Sequence, residues 1–69
     1  MQMIPVSSSN LEAVGYDPVN RILRIRFHSG TYDYYDVPQS VYTGLMNAAS
    51  KGSYHHLYIK NNYRYKKIN

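Results

Sequence analysis

Residues 10–38, NLEAVGYDPVNRILRIRFHSGTYDYYDVP, narrow the fold more than any other stretch of the chain. Three runs rich in β-branched and aromatic residues are separated there by two turn signals. In Asp17-Pro18-Val19-Asn20, Pro has the φ that suits the second turn position and Asn tolerates left-handed geometry. In Ser29-Gly30, Gly offers positive φ to a two-residue hairpin loop. Side chains of a strand alternate between faces. Leu23, Ile25, Phe27, Tyr32 and Tyr34 therefore share an apolar face, while Arg24, Arg26, His28, Thr31, Asp33 and Tyr35 share a polar one. A loop made of Ser29-Gly30 pairs Phe27 with Tyr32, Arg26 with Asp33, Ile25 with Tyr34 and Arg24 with Tyr35. Counting back through the first turn pairs Val14 with Leu23 and Tyr16 with Arg21, which puts Val14 on the core side.

After Pro38 the apolar period lengthens. In PQSVYTGLMNAAS, Val41, Leu45 and Ala48 fall on one helical stripe, Pro38 stands where a helix begins, and Gly52 is the expected stop. Beyond it a short second helix is expected, capped by Ser53, with Tyr54, Leu57 or Tyr58 turned inward. Asn61-Asn62 then turns the chain into YRYKKI, whose alternation suits an edge strand. The fold class read from this order is α+β: a small three-stranded antiparallel β-meander covered by one or two helices, with a short C-terminal strand. Sixty-nine residues make one domain, 1–69, and without Cys no disulfide compensates for the small core. No run is long and apolar enough for a membrane span, and no leader pattern opens the chain, so a soluble cytoplasmic protein is expected.

The catalytic inventory is thin. The four carboxylates are dispersed, there is no Cys, and no Ser sits in a nucleophile elbow. The chain reads as no enzyme. His28, His55 and His56 lack the spacing of a metal shell, so no metal and no cofactor are expected. The charge is the informative part. Residues 1–36 carry three arginines against four carboxylates, whereas residues 37–69 carry Lys51, Lys60, Arg64, Lys66 and Lys67 with no acid. An acid-free basic half suits a polyanion, since each neutralised phosphate releases counterions; a merely solvated surface is the plainer reading. Tyrosines interleaved with cations in KNNYRYKKI fit single-stranded RNA, where bases stack on rings and cations follow phosphates. Tyr63 and Tyr65 taken alone fit inward packing better. The candidate nucleic-acid-binding residues are Arg24, Arg26, Tyr35, Lys60, Arg64, Lys66 and Lys67, with Tyr35 the stacking candidate among the tyrosines of residues 32–35. A protein partner held through an exposed edge strand or a Tyr-rich surface is the alternative, since nine of the ten aromatic residues are Tyr.

The order of these segments resembles the KTSC domain. IPVSSSNLEAVGYD precedes the meander, YDYYDVP leads into the helix, and SKGSYHHLYIKNNYRYKKI closes the chain. The marks are Ser8-Ser9, Tyr32-x-Tyr34 with Val37-Pro38, Ser50-Lys51-Gly52, and Ile59 with Tyr63-x-Tyr65. His55 stands where an aromatic is expected after Tyr54. That family is a small module at the C-terminus of some lysyl-tRNA synthetases and also a stand-alone bacterial or phage protein. The resemblance covers nearly the whole chain and implies an RNA-binding accessory role, with tRNA the natural candidate.

Overall fold

The computed structural model describes residues 1–69. Its strands are β1 (Ile4–Pro5), β2 (Leu11–Asp17), β3 (Ile22–Phe27), β4 (Gly30–Tyr34) and β5 (Tyr65–Lys67), joined in that order into one antiparallel sheet. The fold is α+β, and the sheet has five strands: the expected meander and C-terminal strand, with β1 as an addition. Ile4-Pro5 adds one edge against β2, and the C-terminal strand closes the other against β4.

Both hairpins sit two residues away from the expected pairing. Val14 faces Ile25 and Tyr16 faces Leu23; Ile25 faces Tyr32, Arg24 faces Asp33 and Phe27 faces Gly30. At the first turn, the Asp17 carboxylate accepts from the backbone N–H groups of Val19 (3.0 Å) and Asn20 (3.3 Å). That holds Pro18–Arg21 as a loop, with Arg21 rather than Asn20 left-handed at φ 58°. At the second turn Gly30 has φ 148° and begins β4, so His28-Ser29 forms the loop. A shift of two leaves side-chain parity untouched, and the two faces are those expected. Leu23 and Ile25 are fully buried, Tyr34 nearly so, and Phe27 and Tyr32 half-buried on the inner face. A bulge at Glu12 sets Leu11 and Val14, three positions apart, on that same inner face.

Two helical segments cover the inner face. α1 (Gln39–Asn47) follows Pro38 directly and buries Leu45, with Val41 half-buried beside it. Tyr42 stacks on Tyr16, rings 4.9 Å apart, while the Tyr16 hydroxyl donates to the Val37 carbonyl at 2.6 Å. The helix ends at Asn47 rather than at Gly52, which lies inside α2 (Lys51–Tyr54). Ser50, not Ser53, is the cap of α2: its hydroxyl accepts from the Ser53 N–H at 3.3 Å. α2 then widens into a π-helical turn at His55–Ile59, where the Lys60 N–H reaches back to the His55 carbonyl at 2.9 Å. The wider turn carries Tyr54 and Ile59, five residues apart, both inward. Ile59 is fully buried, whereas Leu57 and Tyr58 point to solvent at 64% and 55% exposure. The inward positions expected at Leu57 and Tyr58 are thus taken by Ile59. The core is Leu11, Val14, Leu23, Ile25, Tyr34, Val37, Leu45 and Ile59.

Candidate nucleic-acid interface

The strand pairing divides the candidate residues between two sides of the sheet. Arg24, Arg26, Tyr35, Arg64 and Lys66 belong to the outer side by alternation and register. Arg24 forms a two-pronged pair with Asp33, Nε to Oδ1 at 2.7 Å and Nη2 to Oδ2 at 2.9 Å. The nearly buried carboxylate raises the Arg24 pKa through those bonds. Arg26 lies 3.3 Å from Glu12, which also accepts from His28 Nδ1 at 2.7 Å. The carboxylates of β2 and β4 thus hold both arginines of β3. Arg64 lies over the Tyr35 ring at 5.0 Å, and its carbonyl accepts from the Tyr35 N–H at 2.9 Å. The backbone bond extends the ladder by one pairing, and the cation–π contact puts a guanidinium on the stacking candidate. Lys66 stands opposite Asp33. No salt bridge engages Lys60, Arg64, Lys66 or Lys67.

Lys67 stands opposite Tyr32, on the inner side. There the helices stop short of the sheet edge. A cleft of about 250 Å³ opens between the π turn and the ends of β3, β4 and β5, lined by Phe27, Tyr32, Tyr34, Tyr65, His55 and Lys60 among others. It continues into a more polar hollow of about 360 Å³ that shares Phe27, Ser29, His55 and Lys60 and adds His56. The rings form a connected set. Phe27 meets His55 edge-on at 4.9 Å and Tyr32 at 5.7 Å; Tyr65 lies 5.7 Å from Tyr34 and 6.0 Å from Tyr32. The Tyr34 hydroxyl and His55 Nε2 are 2.8 Å apart. Burial first, then Lys60 and His56, lowers the His55 pKa. Burial, then Tyr32 and Tyr65, pushes the Tyr34 hydroxyl up to about 12. The contact therefore joins a neutral imidazole to a hydroxyl that keeps its proton.

Of the seven candidates, five lie on the outer side, while Lys60 lines the cleft and Lys67 flanks Tyr32. Phe27, Tyr32, Tyr65, His55 and His56 were not among them. Tyr63-x-Tyr65 carried the one available signal, because alternation along the strand separates these two tyrosines from Arg64. Tyr63 is half-buried against the core, but Tyr65 is 56% exposed at the cleft mouth. No three of the His, Asp and Glu side chains gather as a metal site requires, and no helix is long and apolar enough to cross a membrane.

Residues 7–63, from Ser7 in the approach to β2 to Tyr63 before β5, match the KTSC domain. The chain belongs to the KTSC domain family. This KTSC domain is 46% identical over 63 residues to a protein of Tsukamurella paurometabola, covering 90% of this chain and 94% of that one. It is 36% identical over 67 residues to a lysine–tRNA ligase of Nostoc sp. PCC 7120; the match spans 96% of this chain and 12% of the ligase. The crystal structure of a KTSC domain protein from Yersinia pestis superposes with a TM-score of 0.96 at 43% identity, over 99% of this chain and 97% of the other. The KTSC fold thus occurs both as nearly a whole chain and as a small part of a ligase.

Proposed function

We propose that this KTSC domain is a non-enzymatic accessory module that binds RNA, with tRNA the first ligand to try. The observation that carries the reading is the state of the cations on and before β5. Lys60, Arg64, Lys66 and Lys67 have no carboxylate partner, and residues 37–69 contain no acid to supply one. Arg24 and Arg26, by contrast, are held by Asp33 and Glu12 and serve mainly to stiffen the sheet beside them. The occurrence of the module within lysine–tRNA ligases supports RNA over other polyanions, and a cytoplasmic setting goes with it. Titration of labelled tRNA and single-stranded RNA tests the reading. Charge reversal at Lys66→Glu with Lys67→Glu is expected to abolish most of the affinity; affinity that ignores this change counts against RNA binding.

Strand addition by a protein at the β5 edge is the second reading, favoured by the exposure of Tyr65, Lys66 and Lys67. The strand is only three residues long and is dense in cations, features that guard an edge against pairing. A pull-down from nuclease-treated lysate separates the two: partners that survive the nuclease favour the protein reading.

A further inference from the structure

The cleft sets an aromatic wall beside Lys60, one of the unpaired cations. Its two hollows differ: one is bounded by the rings of Phe27, Tyr32, Tyr34 and Tyr65, the other by polar groups including His56. Lys60 lines both and so stands where they join. No carboxylate lines either. We propose that this cleft seats one unstacked nucleotide of a single-stranded RNA segment, its base against Tyr32 and Tyr65 and its phosphate at Lys60 and His56. The proposal rests on the RNA reading above and gives it a site.

Four observations converge on that occupant. The order of surfaces along the cleft, aromatic then cationic and polar, follows the order of base and phosphate in a nucleotide. The two hollows together reach the size of ordinary small-ligand sites, which begin at about 300 Å³. Tyr65 is 56% exposed and inclined to Tyr32 by 56°, so neither ring covers the other face to face. A base laid against Tyr65 covers ring surface that the fold leaves wet. Finally, the Tyr34 hydroxyl lies 2.8 Å from His55 Nε2, a hydrogen bond that holds the imidazole against the wall. The cleft wall is thereby fixed in orientation. Lys67, opposite Tyr32 on the same side of the sheet, is placed for a neighbouring phosphate.

The test uses the full domain, ¹⁵N-labelled, with a short oligouridine as probe, and follows chemical shifts together with affinity at several salt concentrations. Tyr65→Ala is suited to it because the side chain is largely exposed and carries no charge. Loss of one stacked base is expected to weaken binding about tenfold while leaving the salt slope unchanged. Lys60→Gln, at an exposed position, is expected to lower affinity and reduce the slope by about 0.7. The largest shifts are expected at Phe27, Tyr32, His55 and Tyr65. Oligouridine that binds with shifts confined to Tyr35, Arg64 and Lys66, and with Tyr65→Ala within about twofold of wild type, overturns the cleft but leaves RNA binding standing. No binding at low salt overturns both.

Discussion

The pairing of Arg24 with Asp33 can be measured directly, and its size follows from the burial of the two side chains. Asp33 is 8% exposed and Arg24 35%, with two short charge-assisted bonds between them. Hydrogen bonds to charged groups contribute about 1.5–3 kcal/mol net. Fully exposed pairs contribute only about 0.2–1 kcal/mol, and the open side of Arg24 moves this pair toward that range. A coupling of about 1.5 kcal/mol is expected from a double-mutant cycle of Arg24→Ala and Asp33→Ala, read by urea unfolding. With a slope near 1 kcal/mol per molar for a domain this small, that is a departure of about 1.5 M from additive midpoint shifts. A domain of this length has roughly 3.5–10 kcal/mol of stability, so each variant should remain folded in water. The same cycle for Arg26 and Asp33 is expected to give less than about 0.5 kcal/mol, since Arg26 is 49% exposed and turned to Glu12. A larger coupling for Arg26 than for Arg24 would refute the strand register.

Three further outcomes follow from the packing. Ile59→Ala should cost about 3 kcal/mol in thermal or urea unfolding, because Ile59 is fully buried, and Leu57→Ala less than about 0.5 kcal/mol; equal costs would contradict the inward turn of the π segment. Gly30→Ala should destabilise the β4–β5 pairing, since a Cβ there would lie 2.6 Å from the Asn69 carbonyl at φ 148°; faster amide exchange at Ile68, whose N–H donates to the Thr31 carbonyl at 2.8 Å, is the readout. Stability should fall at both ends of the pH range. The His55 pKa is lowered in the fold, so below about 6.5 the unfolded chain binds more protons and acid destabilises. Tyr34 is raised from 10.0 to about 12, so its contribution is present below pH 10 and lost between pH 10 and 12, at most about 2.7 kcal/mol given the open cleft beside it. Tyr34→Phe should flatten the alkaline limb, and an unchanged limb would contradict that assignment.

The contrast between Tyr34 and Asp33 shows what the sequence could reveal. Alternation alone puts Tyr34 on the inner face, because it depends only on parity and a two-residue slip in both hairpins preserves parity. The arginine opposite Asp33 depends on the loop itself: with Gly30 paired to Phe27 as the first residue of β4, the loop is His28-Ser29 and the partner is Arg24 rather than Arg26. The helix boundaries moved for a similar reason. Ser50 and Ser53 are equally good caps by composition, and only the hydrogen bond between them decides. The inward place of Ile59 depends on a π turn that an apolar period of 3.6 does not describe. The cationic candidates were legible from the acid-free second half, but their division between two sides followed only from β5 docking on β4. The cleft was least legible, since it joins residue 27, residues 32 and 34, residue 55 and residue 65 through pairings far apart in sequence.

RNA binding by the unpaired cations is tested most directly by the salt dependence of affinity for a single-stranded oligonucleotide. Lys60, Arg64, Lys66 and Lys67 each in contact with a phosphate give a slope of log affinity against log salt near −3, at about −0.7 per contact. Affinity should then fall about fiftyfold between 50 and 200 mM salt. A slope near zero, or no binding at the lowest salt, would contradict the proposed function.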